Sequence, residues 1–154
     1  MLGLMQDYPL LAHTILDHAA INHGERELVT RSVEGPIRRT TLADVHNRSL
    51  KVAKALEKEG VTLGDRIATL AWNTERHMEA WFGIMGLGAI CHTLNPRLFA
   101  EQLDYIVNHA EDEIVSLRQG SISNPIEFLA AAMAASTRPR NTALRSRTRS
   151  SRAW

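Results

Sequence analysis

Residues 64–112, GDRIATLAWNTERHMEAWFGIMGLGAICHTLNPRLFAEQLDYIVNHAED, read as strand, helix, strand, helix, and this order constrains the fold most. Ile67, Ala68, Leu70, Ala71 and Trp72 form a nearly continuous apolar run, the pattern of a strand covered on both faces. Asn73-Thr74 breaks the run, with Thr74 placed to cap the helix that follows. On that helix Met78, Trp81, Phe82, Met85 and Ala89 recur at spacings of three and four, which predicts an apolar core-facing side. Gly83, Gly86 and Gly88 weaken an isolated helix, and they make sense if it lies close against a sheet. Ile90 to Leu94 is a second strand, ended by Asn95-Pro96, since proline has no N–H for a ladder. Phe99 to Ala110 is a second amphipathic helix through Leu103, Ile106, Val107 and Ala110. Strand, covering helix and second strand make a βαβ unit, whose crossover is right-handed.

The chain before this stretch adds a helix, a hairpin and a helix. Tyr8-Pro9-Leu10 opens the first helix, with Leu11, Ile15, Leu16, Ala19 and Ala20 near one face and a stop around Gly24. Glu27 to Val33 alternates as a strand, Glu34-Gly35-Pro36 is a turn signal, and Ile37 to Thr40 returns. Thr41-Leu42-Ala43-Asp44 resembles a capping box for a helix that buries Val45, Ser49, Val52, Ala53 and Leu56. Lys51, Lys54, Glu57 and Lys58 form its solvated side, and Gly60 suits the position just past its end. The expected fold class is therefore α/β: a partial parallel sheet with covering helices and a small β-hairpin.

The 154 residues suffice for one domain with a modest core. No apolar run approaches the roughly 18–20 residues of a membrane span. The N-terminus lacks the basic start and long apolar core of a signal peptide, so a cytoplasmic, soluble chain is expected. The net charge of +1 hides a split: residues 1–127 hold all 17 acids against 12 basic residues, and residues 128–154 hold six arginines and no acid.

Several motifs stand in a recognisable order and spacing. They are Arg39-Thr40-Thr41-Leu42-Ala43-Asp44-Val45, Gly60-Val61, Gly64-Asp65-Arg66-Ile67-Ala68, Trp72-Asn73-Thr74, Gly86-Leu87-Gly88-Ala89, His92 to Leu98 and Tyr105 to Asp112. Over about residues 8–115 the set resembles the N-terminal part of the adenylate-forming (AMP-binding) acyl-CoA synthetases, and most of all the bacterial medium- and long-chain fatty-acid–CoA ligases. The resemblance implies an incomplete N-terminal portion of that fold. It also implies a two-step chemistry. A carboxylate attacks the α-phosphate of ATP to give an acyl-adenylate and pyrophosphate, and the thiol of coenzyme A then displaces AMP. Magnesium and cationic side chains offset the triphosphate charge in such a reaction.

The family's Ser/Thr/Gly-rich phosphate loop, closing near Pro-Lys-Gly, has no match here, and no lysine follows Lys58. The later Tyr-Gly-x-Thr-Glu type segment is also missing. No catalytic, cofactor-binding or metal position is therefore assigned, no cofactor is expected on this stretch itself, and the chain is expected to be inactive alone. The resemblance implies substrates (fatty acid, ATP, coenzyme A) and, for partners, an intact homologous ligase or a second copy.

Glu113-Ile114-Val115 begins a third parallel strand, and the pattern departs near Ser116. Residues 116–154 are rich in Arg, Ser, Ala and Thr, with one alanine-rich patch at Ala130 to Ala135. So few large apolar residues cannot offset the ordering entropy, which predicts a mostly disordered tail. Every basic residue after Lys58 is arginine, as in a GC-rich region read out of frame, so a frameshifted or truncated ligase gene is the expected origin. Arg138, Arg140, Arg145, Arg147, Arg149 and Arg152 would attract phosphate backbones weakly and without sequence preference, with Trp154 the one aromatic beside them.

The remaining candidates read as structural. His77 could face a ligand, but a satisfied or exposed structural histidine explains it. His92 lies near the carboxyl end of its strand, where α/β sheets bind ligands, yet a hydrogen-bonded structural role suffices. His13, His18 and His23 are five apart, which is not zinc-ligand spacing on one helix face. Glu111-Asp112-Glu113 reads as a solvated helix end rather than a cation site. Cys91 is a core thiol, and Trp81, Phe82 and the nearby methionines are read as core.

Overall fold

The computed structural model describes residues 3–4, 6–31 and 35–112. The elements are α1 (His13–His23), β1 (Glu27–Arg31), β2 (Ile37–Thr41), α2 (Leu42–Lys58), β3 (Arg66–Leu70), α3 (Glu75–Gly86), β4 (Ile90–Leu94) and α4 (Ala100–Ala110). β1 and β2 form an antiparallel hairpin in the register Glu27↔Thr41 to Arg31↔Ile37. β3 and β4 pair in parallel, Arg66↔Ile90 through Leu70↔Leu94, as a helix-linked crossover requires. The α/β class holds, with one parallel and one antiparallel pair and helices covering them. The third strand expected from Glu113, the alanine-rich patch and the arginine tail lie outside the described residues.

Local chemistry sets most boundaries. Thr41 caps α2: its hydroxyl oxygen accepts from the Asp44 N–H at 3.1 Å and donates to the Asp44 carboxylate at 2.9 Å. Gly60 follows α2 with φ +90, the left-handed geometry that ends a helix. Thr74 caps α3, accepting from the His77 N–H at 3.4 Å. At α4 the Gln102 side chain reaches back to the Phe99 N–H at 3.2 Å, so Phe99 flanks the helix rather than opening it. The first helix begins at His13, five residues later than Tyr8-Pro9 suggested. The central strand ends at Leu70, leaving Ala71 and Trp72 in the connection to α3. The expected extension of β1 to Val33 lies outside the described residues.

The core is Val52 and Leu56 of α2, Val61, Ile67 of β3, Ile84 of α3 and Ala89. Ile67, Ala68 and Thr69 are all buried, so β3 is covered on both faces as its apolar run implied. The stripe of α2 also follows expectation at Val45, Ser49, Val52 and Leu56, while Ala53 is half-buried.

Two helix faces depart from expectation. On α1 only Leu16 is buried; Leu11 and Ile15 are exposed. On α3 the buried residues are Glu75, His77, Glu79, Ala80, Gly83 and Ile84, while Met78, Trp81, Phe82 and Met85 are half-buried. The helix turns its small and acidic side inward because it packs on α2, not flat on the sheet. A Cβ on Gly83 would lie 2.8 Å from the Ser49 carbonyl oxygen and from Val52 Cβ. Gly86 faces open space, and Gly88 is needed for its φ of +73. The stripe of α4, Leu103, Ile106, Val107 and Ala110, is correct but only half-buried.

Candidate functional site

Around the parallel pair β3–β4 and helix α3 the described residues place three polar clusters, one exposed and two buried. The first is at the carboxyl ends of the strands, where α/β sheets place ligands. Trp72 follows β3 and Arg97 follows β4; the Arg97 guanidinium lies 5.4 Å from the centre of the Trp72 ring. The Arg97 N–H donates to Asn95 Oδ1 at 3.0 Å, fixing the turn after Leu94.

The second cluster is centred on His77, which is 4 % exposed. Its Nε2 accepts from the Trp81 indole N–H at 2.8 Å and lies 2.9 Å from the Thr69 hydroxyl. The two rings meet edge to face with centroids 5.0 Å apart. Burial holds the His77 pKa below the ordinary histidine value, and the Trp72 main chain opposes that in part. That approach falls outside hydrogen-bond geometry, so Nδ1 has no well-formed partner.

The third cluster is acidic. Glu75 and Glu79 are 5 % and 2 % exposed, one turn apart on the inner side of α3. Arg38 of the hairpin reaches Glu75 at 3.2 Å, while Arg76 and Arg48 lie 3.5 and 3.8 Å from Glu79. Burial raises the Glu79 pKa, and the two arginines offset this only partly. The Glu75 N–H donates to Thr30 of β1 at 3.2 Å, so this cluster ties the hairpin and α2 to the start of α3.

His92 proves to be a hydrogen-bonded residue of β4, as its structural reading held. Its Nδ1 lies 2.7 Å from Asp112 Oδ2, and the Asp112 side chain has 0 % exposure. This corrects the reading of a solvated helix end at Asp112; Glu111 is exposed as expected, and Glu113 lies outside the described residues. Glu111 takes the left-handed conformation, φ 54, and pairs with Arg66 at 3.2 Å. The bend turns Asp112 under the sheet, where Oδ1 has no partner among the described residues.

Cys91 is a half-buried thiol on β4 whose pKa is pushed up to about 11 by burial, so it is a poor nucleophile. On α1 the histidines diverge: His13 approaches Asp17 at 4.0 Å, His18 meets Asn22, and His23 lies edge-on to His18. Among the described residues no three His, Cys, Asp or Glu side chains come together as a metal site, and no helix is long and apolar enough to cross a membrane.

Sequence reasoning did not single out Glu75 and Glu79. Their signal was available: with Gly83 they recur every four residues on one side of α3, and a glycine in such a line marks the side of closest packing.

A family model described as AMP-binding enzyme matches residues 16–151. The medium-chain-fatty-acid–CoA ligase of Ectopseudomonas oleovorans is 46% identical over 117 residues, covering 76% of this chain and 21% of that one. A 3-methylmercaptopropionyl-CoA ligase of Ruegeria lacuscaerulensis is 45% identical over 115 residues, covering 75% of this chain and 21% of the other. Among solved structures, the anthranilate CoA ligase AuaEII in complex with anthranoyl-AMP superposes with a TM-score of 0.61 at 25% identity, over 73% of this chain and 22% of that one. The chain thus spans about a fifth of the length of the curated relatives it matches.

Proposed function

The chain belongs to the AMP-binding enzyme family, and on that premise we propose that it supplies the opening part of a ligase that activates a medium- or long-chain fatty acid. The reaction is acyl transfer through an acyl-adenylate, with ATP and magnesium in the first step and coenzyme A as acceptor in the second. The observation that supports the fatty-acid reading is the 46% identity over 117 residues to the medium-chain ligase, one percentage point above the 3-methylmercaptopropionyl-CoA ligase. The setting is cytoplasmic.

The described residues do not themselves fit a triphosphate and its magnesium. Glu75 and Glu79 are buried and occupied by arginines, and Asp112 is turned under the sheet. Arg97 is one exposed guanidinium stacked on an indole. Developing charge on a transferring phosphoryl group needs several fixed cations aimed at one point. The role of residues 13–112 is then a scaffold: the β3–α3–β4 crossover presents its strand ends to the rest of an adenylating domain.

Two measurements test this. The 154-residue chain, given ATP, magnesium, coenzyme A and a fatty acid, should release no pyrophosphate above background. A chimera in which residues 8–112 replace the matching segment of the Ectopseudomonas oleovorans ligase should keep fatty-acid activation. Turnover by the short chain overturns the scaffold role, and a folded but inactive chimera overturns the ligase reading.

A further inference from the structure

We propose that the outer side of α4 is a docking surface for the stretch Arg145-Ser146-Arg147-Thr148-Arg149 of the same chain, which Glu101, Asp104 and Tyr105 hold.

The exposed side of the helix carries this. Residues 101, 104, 105 and 108 share one side of α4, opposite the half-buried stripe of Leu103, Ile106, Val107 and Ala110. Glu101, Asp104 and Tyr105 are all exposed, and α4 has no lysine or arginine of its own. Among the described residues the one side-chain contact at either carboxylate is neutral: the Asn108 amide donates to Asp104 Oδ1 at 3.1 Å. By contrast Glu27, Glu75, Glu79 and Glu111 already hold arginines. Tyr105 is 67 % exposed. Its ring lies nearly parallel to His109, 7° between planes and 5.5 Å between centroids, so one face is covered and the other is open. A guanidinium stacks on such a face and pairs in bidentate fashion with carboxylates.

The sequence supplies the complement. Residues 128–154 hold six arginines and no acid. Arg145, Arg147 and Arg149 alternate with Ser146 and Thr148, so in an extended chain the three guanidinium groups fall on one side, about 7 Å apart. The surface of a helix repeats each turn, about 5.4 Å, which offers these three arginines two carboxylates and one ring at matching intervals. Reach is not limiting. The 11 residues of α4 span about 16 Å, the length of roughly five extended residues, and residues 113–144 stand between the helix and Arg145. Tethering sets an effective concentration on the order of millimolar. Pairings too weak to hold a free peptide at micromolar concentration therefore hold the attached one. Every contact is exposed and ionic or cation–π, so the docking is sensitive to salt. Nucleic acid, a denser line of anions, would compete for the same arginines.

The test is limited trypsin cleavage of the 154-residue chain, followed by mass spectrometry at Arg145, Arg147 and Arg149. A free peptide of residues 141–154 in the same tube is the reference for each salt condition. At about 20 mM salt the attached sites should be cut about threefold or more slowly than the free ones, and at about 500 mM the two rates should converge. Glu101→Gln with Asp104→Asn should abolish the low-salt protection while the circular dichroism spectrum stays that of the parent. Glu57→Gln, which removes an exposed acid from α2, should leave the protection in place. Equal rates at low salt overturn the proposal, as does protection that survives the double substitution or that Glu57→Gln removes equally. Protection that fades on dilution of the chain assigns the arginines to a second copy and overturns docking within one chain.

Discussion

Gly83→Ala is the most informative single change, because two opposite effects meet there. In an exposed helix the substitution would stabilise by about 1 kcal/mol, since alanine loses less backbone freedom than glycine. Here the new Cβ would stand 2.8 Å from the Ser49 carbonyl oxygen, from Val52 Cβ and from Val52 Cγ1. Restoring ordinary contact of ~3.5 Å requires α2 and α3 to part by roughly 0.7 Å. Neither obstacle can swing aside: one is backbone and the other is a β-branched side chain near its root. Overpacking of this kind costs about 1–3 kcal/mol, against the propensity gain of about 1 kcal/mol. The net is a loss of up to about 2 kcal/mol, or a melting point lowered by up to about 8 °C at roughly 4 °C per kcal/mol. Gly86→Ala is the built-in control. It lies on the same helix with nothing within 4 Å, so it should be neutral or stabilising. Thermal unfolding followed by circular dichroism at the helix band measures both. If Gly83→Ala matches or exceeds Gly86→Ala in stability, the close approach of α2 and α3 is wrong, and with it the inward turn of the acidic side of α3.

Other outcomes follow from single contacts. Thr74→Ala removes the cap of α3 and should cost about 1 kcal/mol in urea unfolding, with Thr74→Ser nearly neutral. Glu79 has a raised pKa in the fold, so its contribution to stability falls as pH rises from the ordinary carboxylate value through the folded one; Glu79→Gln should flatten that decline, and an unchanged stability–pH curve between acid and neutral pH contradicts it. His77 has the opposite sign: its pKa is lowered by burial, so stability is lost as pH falls below the ordinary histidine value, and His77→Gln should remove that slope. His92→Ala strips the fully buried Asp112 carboxylate of its partner and should cost about 3 kcal/mol; adding Asp112→Asn should recover part of this, and an equal loss in single and double variants refutes the pairing. The six-arginine tail should retard nucleic acid in a gel at about 50 mM salt and lose it at higher salt, whatever the base sequence; no retardation at low salt ends that reading.

The sequence by itself determined the elements and many of their ends. Thr41 and Thr74 announced their helices because a cap is a contact across three residues, and Gly60 announced a stop because left-handed backbone favours glycine. The continuous apolar run of β3 stated that both faces would be covered. The helix after it stated that β4 would lie parallel. Tertiary structure decided which side of a helix turns inward. Met78, Trp81, Phe82 and Met85 form the more apolar stripe of α3, yet Glu79, Ala80 and Gly83 are buried, because closeness to α2 favours small residues and Arg48 with Arg76 partly neutralises the acid. It also decided every polar pairing over distance. His92 with Asp112, His77 with Thr69, and Glu75 with Arg38 join residues whose spacing in the chain follows no period. A hydrogen bond between elements depends on where the backbone brings two side chains, and that is settled only when the helices and strands have packed.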